Sequence, residues 1–148
     1  MFNLNDIANV AGDAIMSGTS SSNDSQVGSD MIFKEYVFID ECQVPDEIFD
    51  YLVDGEKPVA AYKTFRDAAV FTNKRLIIID RQGMTGKKVE RLNIPYKEIN
   101  AWSSENAGRF DLDSEITIYS KVFAIKLNLR KDVDMPRLER LITNIVMR

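Results

Sequence analysis

The sequence predicts a mainly β protein with a smaller α part: a seven-stranded antiparallel sandwich or barrel closed by a carboxyl-terminal amphipathic helix, with a short helix at the amino terminus. Three observations carry this expectation. Residues Ala60 to Asp80 read AAYKTFRDAAVFTNKRLIIID, and breaks at Arg66-Asp67 and Asn73-Lys74 cut them into three short runs rich in Val, Phe, Thr, Tyr and Ile, the pattern of an antiparallel meander. Four more strand-like runs follow, separated by Gly, Pro and Asn. Last, Leu138, Leu141, Ile142, Ile145 and Val146 recur at i, i+3, i+4, i+7 and i+8, the spacing of one apolar helix face. Neither the sheets nor the helix can bury its apolar side alone, so the helix must pack against an open end or flank of the strands.

The elements follow in order. Leu4, Ile7, Ala8, Ala11, Ala14 and Ile15 have helical spacing, which predicts a short amphipathic helix over residues 1–16. Residues 17–30, SGTSSSNDSQVGSD, have the small polar composition of a flexible linker. Residues 31–56 form an acidic lead-in. Within it Met31 to Cys42 fits a strand or a helix equally well, and Pro45 opens a helical turn with Ile48, Phe49 and Leu52 on one side and Gly55 just beyond. The main domain is expected over residues 57–148, with strands at Val59–Phe65, Ala68–Thr72, Arg75–Asp80, Lys88–Ile94, Ala101–Asn106, Glu115–Tyr119 and Val122–Leu129. The run Leu76-Ile77-Ile78-Ile79 is too apolar to be half exposed, so its strand should be covered on both faces. Asp132 and Asp134 can each cap the final helix.

Composition narrows the function classes. A chain of 148 residues with thirty leading residues poor in bulky apolar side chains has room for one core. It contains no apolar run long enough to cross a bilayer and no recognisable secretion signal, which places it in the cytoplasm by expectation. The lone Cys42 forms no internal disulfide and is expected to be a small structural residue, and with no histidine a zinc site would need an unusual ligand shell. No cofactor is expected. Residues 1–56 carry one Lys against twelve Asp and Glu, whereas residues 57–148 carry eighteen Lys and Arg against eleven acids. Opposite potentials of this kind favour facing halves, within one chain or between copies, although exposed pairs contribute little.

A group of motifs resembles a known family. Tyr62 to Asp67, FTNKRLIIID of Phe71 to Asp80, RQGMTGKKVE of Arg81 to Glu90, IPYKEI of Ile94 to Ile99 and RFDLDSEI of Arg109 to Ile116 together look like the bacterial pleckstrin-homology (PH) domains of the YvbH-like type, over roughly residues 44–147. The resemblance implies two nearly orthogonal sheets closed at one corner by the last helix, and a tendency to assemble into rings. Residues 1 to about 43 depart from the shorter family pattern.

Candidate sites are few. Gly83-Met84-Thr85-Gly86-Lys87-Lys88 has the wrong spacing for a phosphate loop and precedes a strand where a helix is required. Asp111, Asp113 and Glu115 could gather a hard cation, but they lack the glycine turn and distal glutamate of a calcium loop, and a solvated loop is the simpler reading. Nothing visible tunes a carboxylate or lysine for catalysis, so the chain reads as a non-enzyme. The resemblance implies, by analogy with eukaryotic PH domains, that a phosphorylated ligand would use Lys63 and Arg66. Lys74, Arg75, Arg81, Lys87 and Lys88 form a second basic group that could clamp phosphate if the side chains converge. A solvated basic face competes with that reading. Nucleic acid is not expected, because too few aromatics interleave with the bases and the chain is acidic overall. The leading expectation is a cytoplasmic interaction module that self-associates and binds a protein partner; the alternative is a module for anionic phospholipid or inositol phosphate. An enzyme of unknown type is a third, weaker reading. Ile7, Val10, Ala11 and Ile15 of the first helix are the expected contacts with an adjacent subunit or a separate partner.

Overall fold

A computed structural model describes residues 31–109 and 113–148. The helix and linker expected over residues 1–30, with Ile7, Val10, Ala11 and Ile15, lie outside the described residues, as does Asp111. The described residues form nine strands: β1 (Ile32–Phe38), β2 (Asp40–Cys42), β3 (Pro58–Lys63), β4 (Ala68–Thr72), β5 (Arg75–Gln82), β6 (Lys88–Pro95), β7 (Ala101–Glu105), β8 (Ser114–Tyr119) and β9 (Phe123–Leu129). Two 3-10 turns, η1 (Asp46–Tyr51) and η2 (Tyr96–Glu98), and one helix, α1 (Met135–Val146), complete the chain. One sheet has the order β1-β9-β8-β7 and the other β2-β3-β4-β5-β6.

All seven expected strands are present, with ends shifted by at most two residues. The lead-in adds two more, and β1 runs parallel to β9, so the strands are neither seven nor all antiparallel. Periodicity left Met31 to Cys42 open because Lys34 and Glu35 interrupt its apolar residues. Pairing resolves it. Tyr36 and Phe38 turn into the core, while the Lys34 ammonium meets Glu90 at 2.7 Å and Glu35 accepts from the Asn128 amide at 2.6 Å. Phe49 departs from its expected apolar side and is 55% exposed, whereas Ile48 beside it is fully buried.

The run Leu76 to Ile79 shows why a continuous apolar strand must be central. Leu76 and Ile78 face the main core between the two sheets, and Ile77 and Ile79 face a smaller cluster on the outer side. Ala69 and Phe71 of β4 likewise face inward, and Ala68 and Val70 outward. Ile48 joins that outer cluster, with Leu52 and Val44 packed on it, so η1 and its flanks roof the five-stranded sheet. The acidic lead-in thus lies against the basic remainder within one chain: Glu47 pairs with Arg81 and Arg91, Glu56 with Arg75, and Glu41 with Arg137. The Arg91 guanidinium also sits 4.3 Å above the Tyr51 ring.

Helix α1 closes the main core through Met135, Leu138, Ile142 and Ile145, all buried. Of the two possible caps Asp134 is used: its carboxylate accepts the Arg137 N–H at 3.0 Å, and Pro136 fits the first turn, where no intrahelical donor is needed. Asp134→Ala is therefore expected to destabilise the protein by about 1 kcal/mol, a fall in melting temperature of about 4 °C. Asp132→Ala should leave the melting curve unchanged.

Candidate functional site

Three hairpin turns are built by one device. In Thr64-Phe65-Arg66-Asp67 the Thr64 hydroxyl accepts the N–H groups of Arg66 at 3.1 Å and Asp67 at 2.7 Å. The Thr72 hydroxyl does the same for Lys74 and Arg75, each at 3.0 Å, and Ser120 for Val122 and Phe123 at 3.1 and 3.0 Å. A hydroxyl that satisfies two successive backbone donors offers the chain an alternative to the ladder, so the strand stops there.

The turn between β3 and β4 is the most conspicuous surface feature. Strand β3 ends at Lys63, earlier than expected, and this leaves Phe65 at the tip of the turn, 95% exposed. The turn is held firmly. The Thr64 N–H donates to the Asp67 carbonyl at 2.8 Å, and the Asp67 carboxylate accepts the Arg81 N–H of β5 at 2.8 Å. The Arg66 guanidinium donates to the Gly83 carbonyl, clipping this turn to the one between β5 and β6. Gly83 and Gly86 there have φ of 75° and 62°, a region that favours glycine. Met84 between them is fully exposed. Three hollows of about 390, 260 and 220 Å³ surround the turn, and Phe65 lines all three. Arg66 and Asp67 line the first and third, Arg130 the first and second.

Of the seven candidate basic residues Arg81 is already paired with Glu47, and the other six fall into two places. Lys63, Arg66, Lys87 and Lys88 lie at the Phe65 end of the five-stranded sheet. Lys74 and Arg75 lie at the other end, because β5 runs eight residues from Arg75 to Gln82, the partner of Lys88. At the usual rise that separates the two groups by about 23 Å, so they do not converge on one phosphate. Both residues at the far end also have structural partners. The Lys74 ammonium donates to the Asp54 carbonyl at 2.8 Å. Arg75 grips the Glu56 carboxylate through Nε at 2.9 Å and Nη2 at 3.1 Å, and also reaches the Tyr51 carbonyl and the Asn93 side chain.

Glu56 is the buried centre of that second place, its side chain wholly shielded from solvent. Burial alone would raise its pKa. Hydrogen bonds from Arg75, from the Thr72 hydroxyl at 2.8 Å and from the Val53 N–H at 3.1 Å, together with the Arg75 charge, outweigh burial and hold the pKa below the ordinary value. Its four contacts tie the loop that follows η1 to the turn between β4 and β5, which is a structural task.

Other candidates are also engaged. Asp113 pairs with Arg130 at 3.4 Å and Glu115 with Lys126 at 2.8 Å. Among the described residues no cluster of three His, Cys, Asp or Glu side chains is arranged to hold a metal. Cys42 is half-buried beside the outer cluster, and burial raises its thiol pKa. Burial likewise pushes Tyr36 and Tyr62 up to about 12. Sequence reasoning missed Phe65 and Met84. The available signal was the position of each within a polar turn, but Phe65 reads as the end of a strand when the Thr64 hydroxyl is ignored.

Two sheets closed by one helix, with exposed side chains on projecting turns, define a protein- or lipid-binding module of the PH type. The family model described as "Bacterial PH domain" matches residues 27–146, and the chain belongs to that family. The match begins ahead of β1, so residues 27–43, the last part of the segment that the motif resemblance excluded, lie within the family domain. The chain is 44% identical over 107 residues to the uncharacterized protein YjqA of Bacillus subtilis, covering 70% of this chain and 86% of that one. Two crystal structures are similar. A DUF1696 family protein with a PH domain from Shewanella loihica shows 36% identity and a TM-score of 0.66, over 72% of this chain and 97% of the other. A PH domain from Shewanella amazonensis shows 38% identity and a TM-score of 0.60, over 69% and 94%. No helix among the described residues is long and apolar enough to cross a membrane.

Proposed function

We propose that this protein is a non-catalytic interaction module that captures a protein partner at the Phe65 end of the five-stranded sheet and also self-associates. The observation that carries the first part is Phe65 itself, an almost fully exposed aromatic ring on a turn fixed by Thr64, Asp67 and Arg66. A ring presented on a rigid turn offers a large apolar contact with little ordering cost on binding, and the hollows beside it can receive side chains of the partner. The first hollow is lined by Arg66 and Arg130 together with Glu35 and Asp67, so it offers a partner charged groups of both signs. Self-association is supported by Phe49, Val53 and Val59, each more than half exposed around η1 and the start of β3.

The test is affinity capture from cell extract followed by a titration with the purified partner. Phe65→Ser should weaken binding at least tenfold, about 1.4 kcal/mol, without lowering the melting temperature, and Lys74→Ala at the far end should change nothing. A partner that binds Phe65→Ser as tightly as the wild type refutes this site. Light scattering at high micromolar concentration tests self-association, and a strictly monomeric mass refutes it.

A second reading is favoured by one specific observation. Met84 stands exposed on the adjacent turn, and Lys87 and Lys88 beside it make no ion pair among the described residues. Two apolar tips flanked by lysines would suit an anionic lipid surface. Sedimentation with anionic vesicles at low salt distinguishes this reading, because electrostatic attraction is strongest there.

A further inference from the structure

The outer face of the four-stranded sheet is graded from apolar to acidic. Alternation turns Ile116, Ile118, Ile125 and Leu127 inward, so their neighbours point out. The registers then align three outward rows across β1, β9, β8 and β7. The first is Phe33, Ala124, Tyr119 and Ala101. The second is Glu35, Lys126, Thr117 and Ser103, and the third is Val37, Asn128, Glu115 and Glu105. Phe33 at the margin of the apolar row is 42% exposed. Beside it Ile32 and Val122 are each 59% exposed and joined by the Ile32 N–H to Val122 carbonyl bond at 2.9 Å. Tyr119 and Ala124 in the middle of the row are buried, yet neither belongs to either core cluster.

We propose that residues 1–16 of the same chain dock along the margin of this apolar row, with Ile7, Val10, Ala11 and Ile15 over the exposed Phe33 and Val122. Three arguments select that occupant. The described chain starts at Met31, immediately before Ile32, so the segment is anchored at the row itself. Four strands span about 15 Å, and a helix of about sixteen residues is about 24 Å long. The linker between them has a typical reach of about 20 Å. Tethering on such a linker gives an effective concentration near millimolar, which outcompetes a second copy at micromolar concentration. The segment also carries Asp6 and Asp13 with no Lys or Arg, matching the exposed Lys121 in the turn beside the row and not the acidic third row. Sequence alone offered no reason for this segment to pack on its own domain; the row at its anchor supplies one.

Paramagnetic relaxation on the full-length chain tests the proposal. With Cys42→Ala and Asn9→Cys carrying a nitroxide, on the side of the segment away from its four contact residues, amides of Ile32 to Lys34 and Lys121 to Ala124 should broaden strongly, and those of Gln82 to Lys88 should not. Ile7→Asp with Ile15→Asp, or Phe33→Ser, should relieve most of that broadening while leaving the remaining amide shifts unchanged. Broadening that persists undiminished in these variants, or its absence near the row, overturns docking. A mixture of labelled chains without isotope and isotopic chains without label should show no broadening; if the broadening appears there, the occupant is a second copy and the proposal fails.

Discussion

Replacing Glu56 with Ala is expected to lower the stability of the protein by about 3 kcal/mol, the lower end of what removing one partner of a buried ion pair costs, and its melting temperature by about 10 °C. The loss is large because three donors converge on that carboxylate: the forked Arg75 guanidinium, the Thr72 hydroxyl and the Val53 N–H. Without it the half-buried Arg75 charge and a buried hydroxyl are left short of partners. Glu56 also shapes the acid limb of stability. Its pKa in the folded chain is held below its ordinary value of 4.5, so the unfolded chain takes up the proton first. The stabilisation from this pair is therefore full above about pH 5 and is lost as pH falls through the lowered folded value. Glu56→Gln should accordingly show a flatter decline between neutral pH and the acid range than the wild type. Arg75→Ala should be comparably damaging, while Lys74→Ala, one residue away but exposed, should shift stability by less than about 0.5 kcal/mol. Urea melts across the pH series measure all of this, and a Glu56→Ala midpoint equal to that of the wild type would mean that Ile48 burial alone holds η1 in place.

Phe38→Ala is expected to cost about 3 to 5 kcal/mol. Phe38 is 1% exposed, packs against Tyr62 with ring centres 6.5 Å apart, and lies on β1, a strand outside the meander. If residues 31–42 were only an appended lead-in, the substitution would be nearly silent. Because β1 is laid along β9 and Phe38 fills the space between the sheets, the cavity left by removing the ring should instead be felt through the whole domain. Val37→Ala on the same strand points outward and should change stability by less than about 0.5 kcal/mol. A thermal melt of both variants separates the two cases. Equal melting temperatures for Phe38→Ala and Val37→Ala would contradict the placement of β1.

The legible part of this fold is its local part. The turns at Arg66-Asp67 and Asn73-Lys74, the doubly covered run Leu76 to Ile79 and the face of α1 were readable because each depends on residues a few positions apart: a polar pair that breaks an apolar run, a period of two, a period of 3.6. The short turn at Pro45 was readable for the same reason. The candidate site was less so. Lys63, Arg66, Lys87 and Lys88 do lie at one end of the sheet, as hairpin geometry allows, but Lys74 and Arg75 were grouped with them by composition. Strand length carries those two to the opposite end. Phe65 went unremarked because its exposure follows from where β3 stops, and that is set by a side-chain hydrogen bond that apolar periodicity does not register.

By itself the sequence determined a meander of short antiparallel strands, a closing amphipathic helix and a chain with no visible catalytic constellation. Only the tertiary structure decided the fate of the acidic lead-in. Ile32 to Phe38 mixes charges with apolar residues, and no local preference separates strand from helix there. The choice is made by contacts with β9, more than eighty residues further along the chain, and by Lys34 finding Glu90 on the edge strand of the other sheet. The same holds for the charge asymmetry. Whether the acidic front faces its own basic remainder or another copy depends on which side chains come within about 4 Å of each other, and at that range η1 places Glu47 and Glu56 on Arg81, Arg91 and Arg75 of the same chain. Coulombic pairing is set by distance in space, which pattern along a sequence does not encode.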